Sequence, residues 1–239
     1  MSESIHPLYD KQCQCPFCTH SFTTKKVRSR FTRPIKTDTD FYTLYKHEQY
    51  SPLLYVPMVC PNCGYSYTDQ FSSLLSEPSR DEITEKLVKR WTPQNFSEER
   101  TESNALNAYK LAIYTAQLKK EKAIVIAGLY LRVVWLYRKR KDAFEEARFM
   151  RLAEKMYKKA YEEDDLSFTE MNALRVLYLI GELNRRLGRN EEAIKYFSLV
   201  VEKKQLAFDP KIINMARDGW YQVREDQKKT ANRLLNTGN

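Results

Sequence analysis

Hydrophobic and polar positions follow two different rhythms along this chain. Beyond Ser76, Leu, Ala and Tyr recur every three or four positions among Lys, Arg and Glu, the period of helices with one buried face. The pattern predicts helices at about 80–91, 97–119, 122–139, 142–162, 167–187, 190–204 and 209–235. Ser79-Arg80-Asp81-Glu82 opens the first of these, and Pro93 stops it beyond Trp91. Ser97 is expected to cap the second, with Arg100 where a capping-box Glu would sit.

Up to about Tyr67 the rhythm is short and alternating, and Cys, Pro, Thr and Tyr dominate, which predicts strands and turns. Lys25 to Arg33 reads as one strand, with Lys26, Arg28 and Arg30 on one face and Val27, Ser29 and Phe31 on the other. A second extended run is expected from Leu53 to Val59, with Pro52 and Pro57 marking it as an edge or irregular strand. The expected fold class is therefore α+β: a small zinc-ribbon-like β module over residues 1–76, then an all-α, TPR-like helical array over 77–239.

Weak repeats support the helical array. Ala105, Tyr109 and Ala112 share a spacing with Ala153, Tyr157 and Ala160, and with Ala193, Phe197 and Val200. Small residues there let helices approach closely, and the aromatic ring fills the space between them. Leu177, Ile180, Gly181, Gly188, Ala193 and Phe197 fit a tetratricopeptide frame of about 34 residues from Leu174 to Ala207. Asn184 stands where that repeat has Tyr, and Gln205 where it closes with Pro. The earlier copies are spaced too widely for a regular superhelix, so a stack of helical hairpins is expected.

Four of the five cysteines form two matched pairs, Cys15-Pro16-Phe17-Cys18 and Cys60-Pro61-Asn62-Cys63-Gly64. Such turns direct two thiolates at one point, and two of them complete a tetrahedral shell of four thiolates. One structural zinc ion per chain is expected on Cys15, Cys18, Cys60 and Cys63, each pair at the tip of a β-hairpin. An ion of that kind contributes roughly 10 kcal/mol or more of folding free energy, and the small module is not expected to fold without it. Gly64 suits the left-handed backbone that closes the second turn; Thr19 occupies that place in the first. Cys13 and His20 lie close enough in sequence to substitute as a fourth ligand or to support one. A redox dithiol is the rival reading of any single C-x-x-C, and a thiol sensor using Cys13 is its remote form. Two matched pairs separated by strands and turns favour the metal.

Charge adds less. The chain has 40 basic and 31 acidic residues, a net +9, and residues 1–76 hold eight basic and six acidic ones, so no basic tail exists. Lys26, Arg28 and Arg30 are candidate nucleic-acid contacts, with Tyr42, Tyr45, Tyr50 and Tyr55 near enough to stack bases. A solvated strand face and a tyrosine-rich core account for the same residues. Arg138-Lys139-Arg140-Lys141 falls at a predicted helix end, where cations suit the dipole. Asp38-Thr39-Asp40 reads as a turn, with no matched carboxylate or His for metal or acid–base chemistry, and His6 and His47 as surface or packing residues. No Gly-rich phosphate loop, nucleophile elbow or HExxH helix is present, so an enzyme is not expected. Met1 to Asp10 is polar and no apolar run reaches about 18 residues, so the expected setting is the cytosol, without a membrane.

These residues resemble the bacterial DUF2225 family, proteins of uncharacterised function found widely in Firmicutes. The resemblance is carried by Cys15-Pro-Phe-Cys18, Lys25-Lys26-Val27-Arg28-Ser29, Asp38-Thr-Asp40-Phe41, Tyr55 and Val59-Cys60-Pro-Asn-Cys63-Gly64-Tyr65. It continues through Ala127-Gly128-Leu129-Tyr130-Leu131-Arg132 and Trp135-Leu136-Tyr137-Arg138. Thr19 departs from the Gly that family members tend to have after the first pair. The resemblance implies a zinc-ribbon-like head joined to TPR-like helices in a bacterial cytoplasm, and it implies no activity. Two functions remain: a scaffold whose helical array binds a protein or peptide, and a nucleic-acid-binding protein using the basic strand beside the zinc.

Overall fold

The computed structural model describes residues 5–163, 173–206 and 210–237. The chain is mostly helical, with short antiparallel strand pairs confined to its N-terminal part. In chain order the strands are β1 (Leu8–Gln14), β2 (Ser21–Val27), β3 (Pro34–Thr37), β4 (Thr43–Tyr45), β5 (Met58–Val59) and β6 (Ser66–Tyr67). The helices are α1 (Glu77–Lys86), α2 (Glu102–Lys119), α3 (Ala123–Lys139), α4 (Ala143–Glu163), α5 (Ala173–Arg186), α6 (Asn190–Glu202) and α7 (Pro210–Thr237). Residues 167–172 of the predicted fifth long helix, Ala207 at the end of the repeat frame and residue 209 lie outside the described residues.

Two compact units divide after Glu146: Met1–Glu146 and Ala147–Asn239. Within the first unit α2 packs against both β5 and β6, so strands and helices share one core across residue 76. Ile83 and Leu87 from α1 and the turn after it, and Leu118 from α2, join Phe22, Met58 and Tyr65 of the strands in one core.

Each strand pairs with its sequence neighbour, β1 with β2, β3 with β4 and β5 with β6. The strand expected over Lys25 to Arg33 ends at Val27, opposite Leu8, because its partner runs out at Pro7. Arg28 N still donates to Pro7 O at 2.8 Å, and the chain then turns through a 3-10 segment at Ser29–Phe31. The extended run expected from Leu53 is also broken. Pro52 starts a 3-10 turn over Pro52–Tyr55, whose Leu53, Leu54 and Tyr55 are buried, and only Met58–Val59 is strand.

Helix starts differ from the expected ones by the residue that can cap. Ser76, not Ser79, caps α1, its hydroxyl accepting from Ser79 N at 3.4 Å. Thr101, not Ser97, caps α2, and Asn104 completes the reciprocal pair of bonds. Arg100 is thereby released from the helix start and buried. Its guanidinium donates to Phe96 O (2.9 and 3.0 Å), Pro57 O (2.8 Å), Leu54 O (3.3 Å) and Thr24 Oγ1 (3.3 Å). Burial pulls its pKa down to about 10, still charged at neutral pH. One side chain thus ties β2, the Pro52–Pro57 turn and the approach to α2 together.

A second polar key joins the β3–β4 turn to α3. Asp40 is fully buried, and its Oδ2 accepts from Arg138 Nη2 at 2.7 Å and Trp135 Nε1 at 3.1 Å. Arg138 also reaches Asp38 at 3.3 Å and Glu146 at 2.8 Å, while Lys139 reaches Glu48 and Glu102, each at 3.3 Å. The turn is an anchor, and the basic run at the helix end supplies its counter-charges rather than a simple dipole cap.

In the second unit α5, α6 and α7 pack on one another. Across both units all nine positions of the three repeated triads are fully buried. A Cβ built on Gly181 or Gly219 would stand 2.8 or 2.7 Å from the Phe197 ring, so both glycines are required by close approach. Asn184, where a Tyr was expected, is buried and donates to Glu154 at 3.2 Å and to Ile180 O at 2.8 Å.

Arg100→Met removes five donated bonds and leaves buried acceptors without partners. It is expected to destabilise the protein by about 2–4 kcal/mol, with Arg100→Lys recovering only part of the loss. Denaturant unfolding measures this, and a loss below about 0.5 kcal/mol contradicts the keying role.

Candidate metal centre

The two cysteine pairs sit where hairpins turn. Cys15 and Cys18 lie between β1 and β2, and Cys60 and Cys63 between β5 and β6, so both pairs are at hairpin tips. The two turns are built alike. Cys15 N donates to His20 O (2.9 Å) and Thr19 N to Cys15 O (2.9 Å); Cys60 N donates to Tyr65 O (3.0 Å) and Gly64 N to Cys60 O (2.9 Å). Each turn closes through a left-handed residue, Thr19 at φ 62° and Gly64 at φ 73°.

The four sulfur atoms converge. Cys15 Sγ lies 3.7 Å from Cys63 Sγ, and Cys18 Sγ 3.7 Å from Cys60 Sγ; all four are within 4.8 Å of one another and no disulfide links them. Four thiolates about 2.3 Å from a central ion in a tetrahedron stand about 3.8 Å apart, so the cluster has the dimensions of a tetrahedral metal site. Cys15, Cys60 and Cys63 are buried and Cys18 is half-buried. Asn62 Nδ2 from the second turn donates to Cys18 Sγ at 3.6 Å, a crossing bond between the turns.

The thiols do not share one protonation state. A hydrogen bond from Cys63, helped by the Phe17 and Cys18 amides, draws Cys15 down to about 5. Cys63 is raised, first by holding the proton it donates to Cys15 and then by burial, and burial pushes Cys60 up to about 11. Cys15 is thus the thiol drawn toward the thiolate, with Cys63 as its hydrogen-bond donor. A metal displaces the remaining protons.

Each turn carries a cover that the sequence reading did not assign. The Trp91 ring lies on Gly64, its Nε1 donating to Pro61 O at 2.9 Å, and a Cβ on Gly64 would meet the ring at 2.4 Å. Arg80 Nη1 donates to Phe17 O at 3.2 Å with its guanidinium 5.0 Å from the Phe17 ring, and Phe17 stacks on Tyr65 at 5.5 Å. Nothing local in the sequence links Trp91 or Arg80 to the cysteines; Gly64 in the second turn against Thr19 in the first was the sole hint that one turn is approached more closely.

The other candidates fall elsewhere. Cys13 Sγ contacts Met58 Sδ at 3.6 Å and Lys11 O at 3.7 Å, and His20 is exposed; neither belongs to the four-sulfur group. Lys26, Arg28 and Arg30 do not make one strand face. Lys26 is in β2 with Nζ donating to Tyr55 O at 2.7 Å, Arg28 follows the strand and donates to His6 O at 3.1 Å, and Arg30 is in the 3-10 turn. Burial and the nearby Lys11 and Arg100 lower the Lys26 pKa, the mark of an ammonium inside the fold. Tyr42 and Tyr55 are buried, whereas Tyr45 and Tyr50 are half-buried.

Among known proteins, the family model described as an uncharacterized protein conserved in bacteria (DUF2225) matches residues 8–223. No curated protein and no solved structure matches the chain.

Two outcomes test this geometry. Gly64→Ala is expected to cost at least about 2 kcal/mol by driving a Cβ into Trp91, while Thr19→Gly raises stability by up to about 1 kcal/mol through relief of the left-handed Thr. Thermal unfolding in the two variants checks the order, and the reverse order contradicts it. Because Cys60 and Cys63 hold protons that an ion must displace, metal affinity is expected to fall by at least about tenfold per unit as pH is lowered from about 8 to about 6. Competition with a chelator measures it; an affinity independent of pH contradicts the assignment of those thiols as ligands.

Proposed function

The chain belongs to the DUF2225 family, and from its four-cysteine cluster we propose that it is a non-enzymatic scaffold holding one structural zinc ion, with its helices binding a protein or peptide partner. The observation that carries the reading is the pair of 3.7 Å sulfur separations in a closed set of four thiols. Soft thiolates in tetrahedral array suit zinc, and four protein ligands leave no position for a substrate or an activated water. The zinc crosslinks two hairpins in the manner of a zinc ribbon. Free thiols in this arrangement suit the reducing bacterial cytoplasm.

For the helical part, the degenerate tetratricopeptide spacing from Leu174 supports a TPR-like hairpin formed by α5 and α6. Gly181 packs under Phe197, and Gly188, at φ 72°, turns the chain between the two helices. Helical hairpins of this kind bind extended or helical peptides along their exposed faces. Among the described residues no helix is long and apolar enough to cross a membrane.

Affinity purification of the full chain from its native cells, with metal analysis of the same sample and chemical crosslinking of whatever accompanies it, tests both halves. The reading expects zinc near one per chain, lost in a Cys18→Ser/Cys60→Ser variant, and a protein crosslinked to α4, α5 or α6. Iron or no metal contradicts the first half, and a preparation with no protein crosslinked to those helices contradicts the second.

A further inference from the structure

Five cations gather in one stretch of the first unit without an internal counter-charge. Arg28, Arg30, Arg33, Lys36 and Lys46 are exposed, and none makes an ion pair among the described residues. The acidic residues of the same stretch pair with α3 instead of with these cations. Asp38 and Asp40 face Arg138 at 3.3 and 2.7 Å, and Glu48 faces Lys139 at 3.3 Å. The cations of this segment therefore stay exposed while its three carboxylates face α3.

Two of these cations, Arg28 and Arg30, line an open groove of about 980 Å³ between the end of β2 and the β3–β4 hairpin, walled also by Tyr9, Thr37, Thr43 and Tyr45. The Arg28 guanidinium lies 5.4 Å from the Tyr9 ring centre, and that of Arg30 lies 4.8 Å from Phe31, so both are held as flat cations on aromatic supports. Ile5 (50% exposed) also lines the groove, and Ile35 (70%) lies in the hairpin that forms its wall.

We propose that this groove binds a single-stranded polynucleotide, with phosphates on Arg28 and Arg30 and unstacked bases against Tyr9 and Tyr45. Planar guanidinium and phenol surfaces match the faces of bases, and the Thr37 and Thr43 hydroxyls match sugar and phosphate oxygens. An acidic peptide satisfies the cations but offers the planar groups no partner, and a duplex keeps its base faces stacked inside. The site differs from a basic strand face, since Lys26 is committed to Tyr55 O and takes no part.

Fluorescence anisotropy of the zinc-loaded full chain with labelled oligo(U) and oligo(dT) of about twelve nucleotides is the test. The expected result is binding that weakens with salt, reduced at least tenfold in Arg28→Gln/Arg30→Gln, with the salt slope smaller by about 1.4. Arg151→Gln/Lys155→Gln, an equal loss of charge on exposed positions of α4, is expected to change affinity less than twofold. Tighter oligo(U) than oligo(dT) binding identifies RNA as the source, and the reverse identifies DNA; either supports the groove. As a check independent of any variant, photo-crosslinking of a thio-substituted oligonucleotide is expected to mark the Tyr9 or Tyr45 peptide. No binding at low salt, equal losses in the two double variants, adducts confined to other peptides, or displacement by poly-glutamate at concentrations that leave duplex DNA ineffective overturns the proposal.

Discussion

Two short turns, each closed by the same pair of backbone hydrogen bonds, aim four sulfur atoms at one point, and the first unit is organised around that convergence. The cysteines that meet are far apart in the chain, and they sit on two isolated hairpins, of seven residues per strand in β1–β2 and only two in β5–β6. Strands this short are not stable as isolated pairs. An ion held by both tips would join them more strongly than the hydrogen bonds of so short a β5–β6 pair. The sulfur cluster also has apolar neighbours, Phe22, Met58, Tyr65, Ile83, Leu87 and Leu118, so it is part of a packed core rather than a replacement for one.

Around that centre, polar side chains act as long-range keys. Arg100 fills its donors with backbone carbonyls from two separate turns, and Arg138 gathers Asp38, Asp40 and Glu146. Burying such groups is costly, and in both cases the cost is offset by nearly complete hydrogen bonding. Their effect is to fix where the Pro52–Pro57 turn and the β3–β4 hairpin sit relative to α2 and α3. The same arrangement turns the acidic residues of the hairpin inward and leaves its lysines and arginines facing water, so the electrostatics of the groove follow from how the fold is anchored.

The sulfur cluster was legible in the sequence because its pattern is local: two cysteines three positions apart, twice, each with Pro after the first Cys, and Gly64 closing the second turn. The buried triads, such as Ala193, Phe197 and Val200, were legible for the same reason, since helical periodicity is a short-range signal. Interactions between residues far apart in the chain were not. Asp40 finds Arg138 across nearly a hundred residues, and Trp91 finds Gly64 from beyond a helix, with no periodicity to announce either. Arg100 was misread through a local ambiguity, since Ser97 and Thr101 are both good caps and only packing chooses between them. The long strand through Arg33 was lost for want of a partner: alternation predicts a strand, but the ladder stops where β1 begins.

Whether Cys15, Cys18, Cys60 and Cys63 together hold one zinc ion is decided by X-ray absorption at the zinc edge of the purified full chain. The expected spectrum is a single shell of four sulfur scatterers at about 2.3 Å with no nitrogen or oxygen neighbour. A mixed shell, with a light-atom ligand at about 2.0 Å in place of one sulfur, contradicts it.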